Sequence, residues 1–176
     1  IISGLKRGGA ETQLFRICQF DQDNDHIVVS LSNKEGYGDI LEEINVSVYA
    51  LNFSSGRISI SGLIKLYRIM KQQKPDVVQT WMNHADFIGG IIARIAGIKN
   101  IFWGVHQTIL IKGKSKAFTI MIVKLNAILS NLIPNKIIYC AEKSREDQEA
   151  IGLKKTKGEV IQNGYNVKYF SPKKSI

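Results

Sequence analysis

Two adjacent glycines, Gly8 and Gly9, stand in a segment rich in glycine and basic residues that precedes a run with helical periodicity. Glycines at such a junction let a ligand approach the backbone closely, and the start of a helix offers unpaired N–H groups at the positive end of its dipole. Both properties suit a phosphate group. The spacing matches neither the G-x-G-x-x-G dinucleotide fingerprint nor a P-loop, because no Gly-Lys-Ser/Thr follows. A tight turn with solvated cations is the alternative interpretation.

Two of the three histidines follow short apolar runs at points where strands are expected to end. They are His84, directly after Asn83, and His106; His26 instead begins an apolar run, and we expect it at the surface. A histidine at a strand end can exchange a proton or orient a hydroxyl group near neutral pH. A structural role is the competing interpretation. The pair lacks the spacing and companion ligands of a zinc site, so we predict no bound metal.

The residue patterns of a hydrolase are not apparent. Ser144 does not stand in a G-x-S-x-G motif, and we predict instead that it caps the helix that follows it. Glu42 and Glu43 are adjacent on a polar stretch, where we expect them to be solvated. The chemistry is therefore sought at the glycines and the two histidines.

Short apolar runs alternate with helical patterns along the chain, which predicts an α/β fold. Because the strands are apolar throughout, we expect a Rossmann-like, doubly wound, mainly parallel sheet of about six to seven strands with helices on both faces. Ligands of such sheets bind beyond the carboxyl ends of the strands, so the glycines and both histidines are predicted to share one edge. Strands are predicted at residues 1–2, 27–31, 46–51, 77–81, 101–105, 137–141 and 159–161, and helices at 10–20, 61–73, 84–96, 117–133 and 144–151.

One domain is predicted over residues 1–162, followed by a strap at residues 163–176 that has no helical or strand period. We expect the strap to lead towards a further domain, and the opening pair of isoleucines suggests a first strand that is cut short. Cys18 and Cys140 both lie in apolar periodic segments. We predict free thiols there, as suits a reducing cytoplasm.

The chain is basic, with 24 Lys and Arg against 15 Asp and Glu, a net charge of +9. A basic surface favours anionic partners. No nucleic-acid-binding motif accompanies the charge, so we predict no nucleic-acid partner. In residues 109–133, lysines precede a long apolar helix pattern. That stretch is either a core helix or a contact with an anionic membrane surface.

Four segments resemble glycosyltransferases of family 4, which are retaining enzymes with the GT-B fold. Residues 2–11 resemble the glycine-rich first loop of that family, and residues 160–172 resemble its crossover into the second domain. Residues 75–81 and 103–106 are similar to two of its strands, the latter ending in His106. Cys140, where the family often has Ser, is a departure. The resemblance implies an N-terminal, acceptor-side domain whose donor-binding C-terminal partner domain is absent from these residues.

The resemblance also assigns site residues. It implies that Gly8 and Gly9 approach the donor diphosphate, that His106 helps to position the transferred sugar as the catalytic residue, and that Asn83, His84 and Glu11 lie on the acceptor side. The donor would be a UDP- or GDP-linked sugar, with no tightly bound cofactor.

The implied function is transfer of a hexose to a lipid-linked or polysaccharide acceptor, such as a lipopolysaccharide precursor, in cell-surface glycan biosynthesis. We expect a cytoplasmic enzyme, with peripheral contact to the inner face of the cell membrane left open, and we expect these 176 residues alone to be inactive. The alternatives are a non-catalytic Rossmann-like module that binds an anion or nucleotide, and an adaptor that docks on membranes.

Overall fold

A parallel sheet built around the first residues of the chain organises the molecule. The structure, a computed structural model, describes residues 1–54, 58–106 and 117–164. Its strands are β1 Ile27–Ser30, β2 Ser47–Ala50, β3 Val77–Trp81, β4 Asn100–Val105, β5 Lys136–Tyr139 and β6 Gly158–Val160. Ile2 forms parallel bridges to Ser30 and to Trp81, and thereby joins β1-β2 to β3-β4-β5-β6. The order across the sheet is β2-β1-Ile2-β3-β4-β5-β6, with every pairing parallel.

Helices cover both faces of this sheet, as predicted. They are α1 Gly9–Phe20, α2 Gly38–Glu43, α3 Ile60–Gln73, α4 Asn83–Ile95, α5 Ala117–Leu129 and α6 Glu142–Ile151, with a short 3-10 turn at Lys155–Lys157. Buried side chains of α1 and α2 join one apolar cluster, and those of α3 and α4 join the other. The chain therefore changes face after β2, where the strand order reverses. The predicted α/β, doubly wound, parallel architecture is confirmed.

Helix α4 lies between α3 and α5 and also packs on β3 and β4. Its apolar surface is correspondingly wide, because it is covered from three sides. This explains the nearly continuous apolar composition of the sequence there. Among the described helices, none has the length and apolar character needed to cross a bilayer.

Several element boundaries differ from the sequence predictions. Helix α2 was not predicted, because its six residues bury few side chains, chiefly Leu41, and follow a stretch of glycine and polar residues. Helix α5 ends at Leu129 instead of residue 133, because the Asn131 and Leu132 amides donate to carbonyls three residues back instead of four. The predicted N-cap at Ser144 is wrong: α6 begins at Glu142 with Ala141 at the N-cap position.

Both cysteines are free thiols, as predicted. Cys18 is buried in the apolar cluster beneath α1, and burial raises the pKa of its thiol to about 11. Cys140 is half-buried just after β5. The predicted lysine-rich start of the α5 region, residues 107–116, lies outside the described residues, as does most of the predicted strap, residues 165–176.

Candidate active site at the carboxyl edge of the sheet

The glycine-rich loop and both histidines lie at one edge of the sheet, as the sequence predicts. The loop leaves the sheet after Ile2, which bridges Trp81 at the end of β3. Trp81 is paired in register with Gly104 of β4, and His106 directly follows that strand. Since all the strands are parallel, their carboxyl ends project in the same direction. This edge includes the point of strand-order reversal, where ligands of such folds bind.

The glycine-rich loop is held in place by the segment that leads into α2. The Tyr37 amide donates to the Leu5 carbonyl at 2.9 Å, and Gly36 next to it adopts φ +100°. A Cβ atom on Gly36 would overlap the Leu5 carbonyl oxygen, so the close approach of these two segments requires glycine. The hydroxyls of Thr12 and Tyr37 lie 2.8 Å apart, and Thr12 Oγ1 also donates to the Gly8 carbonyl at 2.7 Å. The loop is therefore fixed while Gly8 itself stays exposed.

Gly8 occupies the N-cap position of α1 in extended backbone, and Gly9 begins the helix. No side chain caps this helix start. The Glu11 carboxylate instead lies over Gly8, at 2.5 Å from where a Cβ of Gly8 would be, whereas nothing lies within 4 Å of that position at Gly9. A carboxylate in the first turn of a helix is stabilised by the helix dipole. Glu11, which was predicted to lie on the acceptor side, therefore lies at the same anion-favouring helix start as the two glycines.

The turn from β3 into α4 is strained. Met82 has φ 72° and ψ 155°, a backbone conformation that residues other than glycine rarely adopt. Its amide still pairs with the Gly104 carbonyl at 3.0 Å, and its carbonyl accepts the Asp86 amide at 2.9 Å. The Met82 backbone thus completes the strand on one side and begins the helix on the other. Strain of this kind persists where the surrounding contacts over-determine the backbone, as happens at functional sites.

Asn83 and His84 follow this strained residue, and they differ in exposure. Asn83 is only 6% exposed, and its carbonyl accepts from Asn126 Nδ2 of α5 at 2.9 Å. His84 is half-buried, and its ring centroid lies 6.1 Å from that of Phe118. Burial lowers the pKa of His84, so its imidazole is neutral at neutral pH. Of the predicted acceptor residues in this turn, His84 is at the rim and Asn83 lies beneath it.

His106 stacks on Trp81, with ring centroids 4.6 Å apart and planes 14° from parallel. Burial lowers the pKa of His106 to about 4, so it too is neutral at neutral pH. Gly104 lies beside the stack, and a Cβ there would lie 2.9 Å from the Thr80 carbonyl oxygen but at an ordinary contact distance of 3.6 Å from His106 Nε2. The glycine opposite Trp81 in register is therefore required by the close approach of β3 and β4.

Trp81 links the two parts of the edge, and sequence reasoning missed this role. The side chain is 2% exposed and belongs to the same apolar cluster as Ile2 and Leu5 of the first loop. It also stacks on the His106 ring. The sequence marks it only as the last residue of a buried strand. Its stacking partner, His106, could not be predicted without the register between β3 and β4.

A buried carboxyl group, Asp86, was also missed. It is 1% exposed, and the Thr80 hydroxyl donates to its Oδ1 at 2.6 Å. Burial raises its pKa well above the usual range, although the Thr80 hydrogen bond favours the carboxylate. The signal in the sequence was an acidic residue in an otherwise apolar helix. Burial therefore favours the uncharged forms of His84, His106 and Asp86 on this side of the edge.

Other polar clusters lie away from this edge. A groove of about 770 Å³ opens at the amino ends of the strands, lined by Cys18 and Asp21 among others. His26 lies at the surface in that groove, partly buried, with its Nε2 atom 3.2 Å from Asp21 Oδ2. In residues 1–54, 58–106 and 117–164, no three His, Cys, Asp or Glu side chains are arranged to hold a metal ion.

Comparison with known proteins identifies the family. The sequence profile described as Glycosyltransferase Family 4 matches residues 7–169, most of the chain. The chain belongs to glycosyltransferase family 4. One relative of this family 4 domain is the UDP-Gal:alpha-D-GlcNAc-diphosphoundecaprenol alpha-1,3-galactosyltransferase of Escherichia coli. The two are 26% identical over 113 residues, which cover 64% of this chain and 29% of the relative.

Solved structures show that the family 4 domain has the fold of one half of a GT-B protein, as predicted. HepE of Anabaena, solved in complex with UDP, has a TM-score of 0.78 at 19% identity, over 98% of this chain and 45% of HepE. MurG of Acinetobacter baumannii has a TM-score of 0.57 at 14% identity, over 97% of this chain and 47% of MurG. The family 4 domain therefore spans less than half the length of these proteins.

Proposed function

We propose that this family 4 domain is the acceptor-side half of a retaining glycosyltransferase that transfers a hexose from a nucleotide-sugar to a lipid-linked or polysaccharide acceptor. The observation that carries the proposal is the pairing of an exposed glycine loop with a neutral, Trp81-stacked His106 at one sheet edge. Residues 163–176 would lead into the donor-binding C-terminal domain, and the active cleft would form between the two domains.

The glycine loop suits the departing nucleoside diphosphate. Transfer leaves negative charge on that diphosphate, and fixed N–H groups at a helix start stabilise such charge without a metal ion. Gly8 and Gly9 present their backbone at the start of α1, and the loop is held by its bonds to Tyr37 and Thr12. The Glu11 carboxylate lies over Gly8, so it would turn aside when the diphosphate arrives.

His106 suits the sugar. Positive charge develops on the sugar ring as the bond to the diphosphate breaks, and an imidazolium beside it would raise the barrier by repulsion. A neutral imidazole, as the lowered pKa of His106 provides, can still donate one N–H to a sugar hydroxyl. Stacking on Trp81 holds the ring in one plane. This is the basis for assigning His106 as the catalytic residue that orients the transferred sugar.

The acceptor would enter on the side of α4 and α5. His84 and Phe118 form a half-exposed aromatic pair there, and Asn83 supports the turn from beneath. The relative from Escherichia coli is named for a diphosphoundecaprenol-linked acceptor and a UDP-linked galactose. We therefore propose a UDP-hexose donor and a polyprenyl-diphosphate-linked glycan as acceptor, used in the assembly of a cell-surface glycan.

The test is transfer activity of the full-length protein. UDP- and GDP-linked hexoses are offered with a polyprenyl-diphosphate-linked amino sugar, and product anomers are assigned by NMR. We expect transfer from a UDP-hexose with retention. His106→Ala should lower kcat/KM by about 100-fold or more, the loss typical of one positioned hydrogen-bond donor at a transition state.

His26→Ala is the matched control, because it removes the same side chain at the opposite edge of the sheet and should keep near wild-type activity. Wild-type activity in His106→Ala, or no transfer from any donor by a folded full-length protein, would contradict the proposal. Inverted product would contradict the retaining mechanism alone.

A further inference from the structure

The outward surfaces of α3, α4 and α5 form a continuous layer that carries positive charge and no exposed negative charge. Helix α4 packs against α3 on one side and α5 on the other. The three helices contain five cationic residues and one acidic residue, Asp86, which is buried. The cations are Lys65, Arg68, Lys71, Arg94 and Lys124. We call these outward surfaces the three-helix face.

The same face exposes large apolar side chains in stripes. On α3, the buried residues include Gly62, Leu66 and Ile69, and the opposite side of the helix presents Ile60 and Ile64 at 76% and 45% exposure. On α5, Met121 and Ile128 are 48% and 66% exposed, on either side of Lys124 in the sequence. At the end of α4, Ile95 is 64% exposed.

The cations of the face are not neutralised by neighbours. Within the described ranges, none of the five forms an ion pair. Lys65 and Arg94 donate to backbone carbonyls, whereas Arg68, Lys71 and Lys124 extend from the exposed sides of α3 and α5. Helix α6, the next helix along the chain, is instead net acidic, with Glu142, Glu146, Asp147 and Glu149 against Lys143 and Arg145.

We propose that the three-helix face docks on an anionic lipid bilayer. Exposed isoleucines beside unpaired cations match the boundary between acyl chains and negatively charged headgroups. Protein interfaces are depleted in lysine, and nucleic-acid interfaces are strongly polar. Three of the five cations here are lysines, and the apolar stripes lie between them. A lipid surface satisfies both features at once.

Docking in this way would place the candidate site next to the bilayer. Each of α3, α4 and α5 follows a strand and begins at the carboxyl edge, where Asn83 and His84 lie at the start of α4. A lipid-linked acceptor could then reach His84 without leaving the membrane. Only this consequence rests on the proposed function; the docking itself is argued from the charge and exposure of the face.

The test is co-sedimentation of the full-length protein with vesicles of phosphatidylcholine, with and without phosphatidylglycerol. We expect binding only to the vesicles that contain phosphatidylglycerol, and weaker binding at high salt. The combined substitutions Arg68→Gln, Lys71→Gln and Lys124→Gln should weaken partitioning on the order of 100-fold. Ile64→Ser with Ile128→Ser should weaken it by about tenfold or more.

The matched control removes the same charge elsewhere, by Lys143→Gln, Lys154→Gln and Lys155→Gln, and should bind nearly as well as the wild type. Equal losses in control and test variants would show that net charge alone drives binding, and would overturn the proposal. The proposal would also be overturned if both test variants bound vesicles as well as the wild type does, or if the wild type did not bind. A dimer that dissociates on Ile64→Ser would likewise overturn it, because the face would then be an interface between two copies of the protein. Circular dichroism checks that each variant is folded. If a combined variant unfolds, Lys124→Gln alone replaces it, and its partitioning onto vesicles should weaken about fivefold.

Discussion

The candidate site has two walls of opposite character. The first wall, the glycine-rich loop and the start of α1, is exposed, carries charged side chains and presents backbone N–H groups. The second wall, the ends of β3 and β4 with the start of α4, is largely buried. Its two histidines are neutral at neutral pH because burial lowers their pKa, and burial also raises the pKa of Asp86. Anion binding needs the first kind of surface, and recognition of sugar hydroxyls beside a developing cation needs the second.

Trp81 joins the two walls, and replacing it should have the largest effect. Its side chain contacts the apolar cluster of the first loop and the His106 ring. We expect Trp81→Ala to lower the free energy of unfolding by about 4 kcal/mol, the usual cost of removing a buried large aromatic side chain. Urea denaturation measures this. Trp81→Phe keeps most of the apolar contact and should cost less than half as much. A loss below about 1 kcal/mol for Trp81→Ala would mean that the walls are held together by other contacts.

Gly36 tests the first wall alone. The residue has φ +100°, and a Cβ there would overlap the Leu5 carbonyl oxygen, which is backbone and cannot turn aside. We expect Gly36→Ala to lower the free energy of unfolding by about 2 kcal/mol through backbone strain. Transfer by the full-length protein should fall as well, because the glycine loop loses its fixed position.

Gly9→Ala is the control for this effect, since it adds the same methyl group where nothing lies within 4 Å. Its stability should stay within about 0.5 kcal/mol of the wild type, while donor KM rises if the backbone there approaches the diphosphate. Equal destabilisation by the two substitutions would show that the loop is not held by its contact with Gly36.

The sequence predicted the sheet and the shared edge well, because both depend on local patterns. Apolar runs mark the strands, and the rule that ligands bind at carboxyl ends brought Gly8, Gly9, His84 and His106 to one edge. The contacts between the two walls could not be predicted from the sequence. Trp81 meets His106 only because β3 and β4 pair in a register that places Gly104 opposite Trp81.

Helix caps and short helices were predicted less well. Ser144 has the residue type of an N-cap, yet the backbone begins α6 at Glu142, and Ser144 is buried inside the helix. The six residues of α2 are too few for a periodic pattern to identify. In both cases tertiary packing decided what local propensity left undetermined.

The pH dependence of the second wall should be the smallest effect when it is counted for each pH unit, and it distinguishes the walls most directly. The folded-state pKa of His106 is about 4, against about 6.5 for an unperturbed histidine, because burial disfavours the charged ring. Between these values the unfolded chain binds a proton that the folded chain does not, so the contribution of His106 to stability falls as pH drops from 6.5 to 4. The contribution of Asp86 to stability changes with pH in the opposite direction. Because its pKa is raised in the folded state, the folded chain holds the proton more tightly than the unfolded chain, and this contribution falls as pH rises above the usual carboxyl range.

Tryptophan fluorescence separates these contributions. Protonation of His106 near pH 4 should quench the stacked Trp81, and His106→Asn should abolish that transition while Asp86→Asn leaves it in place. Urea denaturation at several pH values should then show a flatter acid limb for His106→Asn, by no more than about 1.4 kcal/mol per pH unit. Trp103 is buried in the other apolar cluster and should give a constant background. A quenching midpoint near 6.5 would mean that the imidazole is solvated, and the second wall would then not be a desolvated surface.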